Sequence, residues 1–140
     1  MSSKVTHLDR LAAQHAQAII ANTKSKKAND VENTVTKALG VLQENGVYAC
    51  FLYLLAKEKE NGKEVVKEML NLLEGLGFGW DKPTSNKPED ILSYIIEKVT
   101  VDLERLLLVK ETLEQMLIYA RYAAKARQEE EKKDEQEASS

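Results

Sequence analysis

The residues from Asn45 to Lys57 join a helix stop to an almost wholly apolar segment. Asparagine and glycine adopt the left-handed conformations that end helices, so Asn45-Gly46 predicts the end of one helix. The residues from Ala49 to Ala56 carry no charge and no turn signal. Since a helix that is hydrophobic on all sides must be buried nearly all round, this segment predicts the central helix of a helical bundle.

The composition favours one all-α domain. A chain of 140 residues is large enough for a single hydrophobic core and too small for two. It has only two prolines and six glycines, which indicates few turns. No apolar run approaches the roughly 18 residues of a membrane span, and the start Met-Ser-Ser-Lys lacks an apolar signal segment, so we expect a cytoplasmic protein with no membrane partner.

Apolar spacing and stop signals predict about six helices. The first helix runs from Val5 to Ala21, the second ends at Asn45-Gly46, and the third runs to about Glu60. The fourth follows a second stop at Asn61-Gly62 and ends before Gly75. The fifth covers Ile91 to Lys98, and the sixth runs from about Val101 past Arg127. Thr100 is predicted to cap the sixth helix. Between the fourth and fifth lies a long loop, Gly75 to Pro88, whose Phe78 and Trp80 are predicted to cover the core, although a functional role of the loop stays open.

The last helix loses its large apolar residues near its end. Six acidic residues and two lysines between Glu129 and Glu137 give that segment a net charge of -4, so the rest of a chain of net charge -3 is about +1. We therefore predict a helical bundle domain over residues 1–128 and a disordered acidic tail over residues 129–140.

No residue pattern indicates catalysis, a cofactor, a metal ion or a small-molecule substrate. His7 and His15 lie two helical turns apart, too far to bind one metal together. The single cysteine, Cys50, excludes an internal disulfide and is predicted to be an inert core thiol. Gly75, Gly77 and Gly79 lack the lysine and hydroxyl residue of a phosphate loop.

Basic residues are the remaining candidates for function. They are Lys24, Lys26 and Lys27 in the loop after the first helix, Lys37 on the second helix, and Lys110, Arg121, Lys125 and Arg127 on the last helix. Positions 110, 121 and 125 fall within about 60° of one another around a helix, although Glu114 shares that sector. The pattern suits contacts with nucleic-acid phosphates, and it equally suits a plain solvated surface.

The order of these segments resembles the small all-helical subunit of the type III-B CRISPR effector, the fifth protein of the Cmr series. Three blocks carry the resemblance, and they are Leu8 to Ile20, Lys37 to Lys57, and Lys110 to Ala126. The central block is the most similar, with its Asn-Gly turn, apolar helix and Ala-Lys end. The chain departs from the family pattern at Leu39 and Ile118, where proline and tryptophan are frequent, at the single Arg121, and at Leu11 and Ala12, where basic residues can occur.

The resemblance implies a non-catalytic protein that stacks in several copies along a ribonucleoprotein and braces the guide–target RNA duplex. Its implied partners are the other Cmr subunits, above all the backbone filament subunit, further copies of itself, guide RNA and target RNA. The residues implied for phosphate contact are Lys24, Lys26, Lys27, Lys37, Arg121 and Lys125.

Two other interpretations compete with this one. A helical adaptor would bind partner helices without touching nucleic acid. A helix-turn-helix regulator would use Asn45-Gly46 as its turn, but the helix after that turn is too apolar to face a DNA groove.

Overall fold

The computed structural model describes the backbone of residues 2–139 and the side chains of residues 7–138. Every regular element in this part of the chain is helical. The elements are α1 (Ser2–Asn22), α2 (Ala28–Asn45), α3 (Val47–Lys57), α4 (Glu60–Gly75), α5 (Pro88–Tyr94), a π-helical segment (Ile95–Val99) and α6 (Leu103–Ser139). The predicted all-α bundle of about six helices with a long C-terminal helix is confirmed.

Helix α6 is the central element, and it packs most extensively against α1 and α2. Helices α1 and α6 run parallel, because Tyr119 donates a 2.5 Å hydrogen bond to Asp9 while Arg127, further along α6, bonds to Thr23 just after α1. The short loop after α1 reverses the chain, so α2 returns antiparallel to both. Apolar residues of α6 at spacings of three and four, from Val109 to Ala124, form its buried face.

Helix α3 lies at the side of the bundle, and the prediction that it is the central helix is wrong. Cys50, Phe51 and Leu54 are fully buried, whereas Tyr48 and Leu52 on the same helix are 36% and 45% exposed. Only one face of α3 packs, mainly against α2 and α4. The uniformly apolar sequence of α3 thus predicted more burial than the helix has.

The two Asn-Gly pairs have different roles. Gly46 ends α2 as predicted, with φ 98° and ψ -174°, a conformation almost restricted to glycine, and its N–H bonds to Leu42 O at 3.0 Å. The second predicted stop is wrong, because Asn61 and Gly62 lie in the first turn of α4. A Cβ on Gly62 would lie 2.5 Å from Glu58 Cβ and 2.9 Å from Leu54 O. Gly62 thus allows α4 to start directly against the end of α3.

The loop between α4 and α5 covers the core, as predicted. Trp80 is 8% exposed, and Phe78 packs edge-on against it with 4.9 Å between ring centroids. The guanidinium of Arg105 lies 4.8 Å from the centroid of the Phe78 ring.

The predicted cap of α6 is wrong. Thr100 Oγ1 donates back to Ile96 O at 2.8 Å, and α6 begins only at Leu103. Asp102 is the capping residue, because its Oδ1 accepts a 3.1 Å hydrogen bond from the N–H of Arg105 in the first turn. The π-helical segment adds a turn after α5 and moves the start of α6 beyond the predicted position.

Helix α6 continues through the acidic segment to Ser139. Ion pairs between Arg127 and Glu131, at 3.0 Å, and between Lys132 and Glu129, at 3.7 Å, follow the helical spacing. The structure thus describes the predicted tail as helix. The division into a domain of residues 1–128 and a tail of residues 129–140 stays a prediction.

Candidate functional site

A shallow groove of about 460 Å³ lies where α2 faces the junction of α3 and α4. We call it the lysine groove, because four lysines line it: Lys26, Lys37, Lys57 and Lys59. The other lining residues are polar or acidic: Asp30, Asn33, Thr34, Glu58, Glu60 and Asn61. Two lysines of the predicted set, Lys26 and Lys37, therefore lie in one site.

The α2–α3 hairpin places Lys37 and Lys57 at the same end of the bundle. The chain turns at Gly46, and Lys37 precedes that turn by about as many residues as Lys57 follows it. Cys50 Sγ lies 3.4 Å from Ala38 O, which fixes the packing of the two helices. Lys57 and Lys59 were not among the predicted site residues. Lys57 could have been found from the sequence, because it follows the turn at Gly46 by about as many residues as Lys37 precedes it.

The groove lysines have free ammonium groups. Within residues 7–138, the lysine ion pairs are those of Lys63, Lys67 and Lys132, none of which lines the lysine groove. Two of the acids in the groove have partners of their own. Glu60 lies 3.9 Å from Lys63, and Glu58 accepts a 3.5 Å hydrogen bond from Tyr53. These contacts leave the lysines as the groups that are available to an anionic ligand.

Tyr53 remains a hydrogen-bond donor beside the groove. Burial, and after it the carboxylate of Glu58, raises the pKa of the Tyr53 phenol, so the hydroxyl stays protonated at neutral pH. Asn61 Oδ1 is buried and has no hydrogen-bond partner among the described residues. Because this oxygen is buried, the four lysines are the donors that the groove presents at its surface.

Arg127 fixes the loop that carries Lys26. Its Nη1 donates to Thr23 O at 3.0 Å, and its Nη2 donates to Lys24 O at 3.2 Å and to Lys26 O. Arg127 was grouped at first with the other basic residues of the last helix. The structure shows that its guanidinium is used in holding this loop.

The other predicted residues do not line the lysine groove. Lys24 and Lys27 are exposed on the loop beside it. Arg121 and Lys125 share one face of the unbroken helix α6, as predicted from their spacing. Lys125 is exposed, whereas Arg121 is half-buried and its Nε has no partner in the described part of the chain. Whether any of them contacts RNA stays a prediction.

Two further groups of possible chemical interest are engaged within the fold. His15 Nδ1 lies 2.9 Å from Glu68 Oε1, and Asn71 Nδ2 lies 3.3 Å from Glu68 Oε2. Burial raises the pKa of the Cys50 thiol to about 12, so the predicted inert core thiol is what the structure shows. Among the described residues, no group of three or more His, Cys, Asp or Glu side chains could hold a metal ion.

The helices of residues 2–139 include none that is long and apolar enough to cross a membrane. No protein-family model, curated protein or solved structure matches this chain.

Proposed function

We propose that this chain is a non-catalytic small subunit of a type III-B CRISPR effector ribonucleoprotein in the cytoplasm. In this role it stacks in several copies beside the backbone filament and braces the guide–target RNA duplex. One observation supports the proposal above the others. Lys37 and Lys57, the two ends of the block that most resembles the Cmr subunit, line the same groove.

The chemistry of the lysine groove suits an RNA backbone. Lysines bind phosphates as point charges and displace condensed counterions, which makes affinity depend on salt. The acids of the groove keep its net charge low, so one copy should bind RNA weakly. Several copies along one duplex would add their weak contacts, and this is how such a subunit can act in a repeated assembly.

The test compares charge-reversal variants in the complex assembled from all Cmr subunits, guide RNA and target RNA. The groove variant is Lys37→Glu/Lys57→Glu, the α6-face variant is Arg121→Glu/Lys125→Glu, and the matched control is Lys132→Glu/Lys133→Glu on the far part of α6. The groove variant should weaken target-RNA affinity about tenfold and lower the salt slope by about 1 per lost phosphate contact. Unchanged affinity and salt slope in a fully assembled complex would overturn the groove assignment.

A helical adaptor without RNA contact is the second candidate, and exposed apolar residues favour it. Val101 and Leu103 are 72% and 68% exposed, which suits a surface that binds protein. The adaptor predicts that entry into the complex is independent of target RNA and that the groove variant binds target RNA as the wild type does.

A further inference from the structure

Helix α6 carries acidic residues past the loop that joins α1 to α2. This loop exposes Lys24, Lys26 and Lys27, and we call these three residues the lysine loop. None of them belongs to the lysine ion pairs found within residues 7–138. Lys26 also lines the lysine groove, so the lysine loop forms one edge of the proposed RNA site.

Two side chains fix the position of α6 against the lysine loop. The guanidinium of Arg127 donates to the carbonyls of Lys24 and Lys26, and Gln128 Nε2 donates to Asn29 Oδ1 at 3.3 Å. The side chain of Arg127 is only 15% exposed. The part of α6 that follows these contacts therefore starts directly beside the loop.

The acids that follow Arg127 lie on the loop side of α6. Arg127 Nε donates to Glu131 Oε1 at 3.0 Å, so a single guanidinium separates this carboxylate from the carbonyls of the loop. At about 3.6 residues per turn, Glu130, Glu131 and Asp134 fall within about 60° of Arg127 around the helix, and we call them the acid stripe. The two lysines of the same segment lie more than about 100° away, on the other side of α6.

Two acids of the stripe keep their full charge. Glu131 is paired with Arg127, whereas Glu130 and Asp134 are exposed and take no part in the ion pairs of residues 7–138. At 1.5 Å per residue, Asp134 lies about 10 Å beyond Arg127 along α6. This distance is close to the Debye length of about 8 Å in physiological salt, so the field of the stripe reaches the lysine loop.

We propose that the acid stripe opposes the lysine loop and gives a single copy of the chain a low affinity for RNA and other polyanions. The inference rests on the proposed function, because it concerns the regulation of the lysine groove through Lys26. A phosphate backbone that approaches the loop is attracted by the lysines and repelled by the stripe. Sites repeated along an assembled ribonucleoprotein add their contacts and overcome this repulsion, whereas a free copy does not.

The experiment measures the binding of the isolated full-length protein to fluorescently labelled polyuridine by anisotropy, from low to physiological salt. The stripe variant is Glu130→Gln/Asp134→Asn, which leaves the contacts of Arg127 in place. The matched control is Glu104→Gln/Glu111→Gln, because both acids are exposed on α6 and lie at least about 24 Å from Arg127 along the helix. Circular dichroism verifies that each variant is folded.

The stripe variant should bind polyuridine about threefold to tenfold more tightly than the wild type at low salt, and the control less than about twofold more tightly. This gain should shrink as salt is added, because the repulsion is screened. An equal gain in both variants would show an effect of net charge alone and would overturn the proposal. So would a stripe variant that binds no better than the wild type, or not at all, at the lowest salt.

A combined variant tests whether the stripe acts on the lysine loop itself. When Lys26→Gln/Lys27→Gln is present, the acid substitutions should raise affinity by less than they do in the wild-type background, because the stripe then opposes fewer lysines. A gain of the same size in both backgrounds would mean that the stripe acts on another basic surface, and the proposal would be wrong.

These outcomes are distinct from the test of the proposed function, which uses the assembled complex. If Lys37→Glu/Lys57→Glu loses target-RNA affinity while the stripe variant binds polyuridine as the wild type does, only the role of the acid stripe is refuted. If the stripe variant binds polyuridine more tightly while Lys37→Glu/Lys57→Glu retains target-RNA affinity, the groove assignment is refuted and the opposition of stripe and loop stands.

Discussion

The guanidinium of Arg127 on α6 donates a 3.0 Å hydrogen bond to the backbone carbonyl of Thr23, which lies 104 residues earlier at the end of α1. The same guanidinium bonds to the carbonyls of Lys24 and Lys26. Carbonyls at the end of a helix have no partner within that helix. Arg127 therefore stabilises the end of α1 and fixes the start of the lysine groove at the same time.

Replacing Arg127 should destabilise the fold. Arg127→Met retains most of the side-chain stem and removes the donors, so we expect the free energy of unfolding to fall by about 1–3 kcal/mol. The measurement is urea denaturation followed by circular dichroism. Lys132→Met is the control, because its i,i+3 pair with Glu129 is exposed, and it should change stability by less than about 0.5 kcal/mol. Equal effects of the two variants would contradict the role of Arg127.

Gly40 in α2 and Gly62 in the first turn of α4 should respond in opposite directions to alanine. A Cβ on Gly40 would meet nothing within 4 Å, so Gly40→Ala should stabilise α2 by about 0.5–1 kcal/mol. A Cβ on Gly62 would lie 2.9 Å from the carbonyl oxygen of Leu54, and Gly62→Ala should cost about 1–3 kcal/mol.

Urea denaturation of both variants measures this difference in sign. Gly62→Ala should also weaken RNA binding by the assembled complex, because moving α4 away from α3 displaces Lys59 in the lysine groove. If both substitutions raised the free energy of unfolding, α4 would be able to move away from α3 with little loss of stability.

The sequence predicted the helices well where a stop signal and an apolar stripe agreed. Gly46 is one example, because the residue between α2 and α3 has a φ of 98°, which favours glycine, and the Asn-Gly pair predicted a turn there. Asn61-Gly62 is the same dipeptide with a different role. Its glycine is required because α3 and α4 approach each other closely there, and this approach is a tertiary contact. The apolar periodicity of one helix does not indicate where that helix contacts another helix.

Only part of the candidate site was predicted, because the rest depends on contacts between helices. Lys26 and Lys37 were among the basic residues for which the resemblance implies phosphate contact, and the structure adds Lys57 and Lys59 from α3 and its junction with α4 to the same groove. Arg127 was chosen for its charge, yet its hydrogen bonds to loop carbonyls depend on the parallel packing of α1 and α6. Leu11 and Ala12, where the Cmr pattern can carry basic residues, are buried in the core here.

The pair of His15 and Glu68 should show strong coupling. The side chain of Glu68 is 5% exposed, and its Oε1 lies 2.9 Å from His15 Nδ1. His15→Leu leaves a buried carboxylate without this partner and should cost about 1–3 kcal/mol. His15→Leu/Glu68→Met removes both polar groups and should recover part of that loss, because half-buried Asn71 can turn to water. A double-mutant cycle in urea measures the coupling, and additivity within about 0.5 kcal/mol would contradict it.

Burial of Cys50 should make stability fall in alkaline solution. Burial raises the pKa of this thiol from 9.0 to about 12, so the folded chain retains a proton that the unfolded chain releases above pH 9. The contribution is complete below the unfolded pKa and declines as the pH rises towards the folded pKa. Between pH 8 and pH 10 it should amount to a loss of about 1.4 kcal/mol.

Comparison with Cys50→Ala isolates this effect, because the tyrosines titrate alike in both proteins. The variant should be less stable at pH 8, since a small cavity replaces the sulfur, but its stability should fall by about 1.4 kcal/mol less than that of the wild type on going to pH 10. Urea denaturation at both pH values gives the four free energies. If the stability of both proteins fell by the same amount between pH 8 and pH 10, the folded protein would accommodate the Cys50 thiolate. Water would then lie beside α3, where the structure has packed side chains.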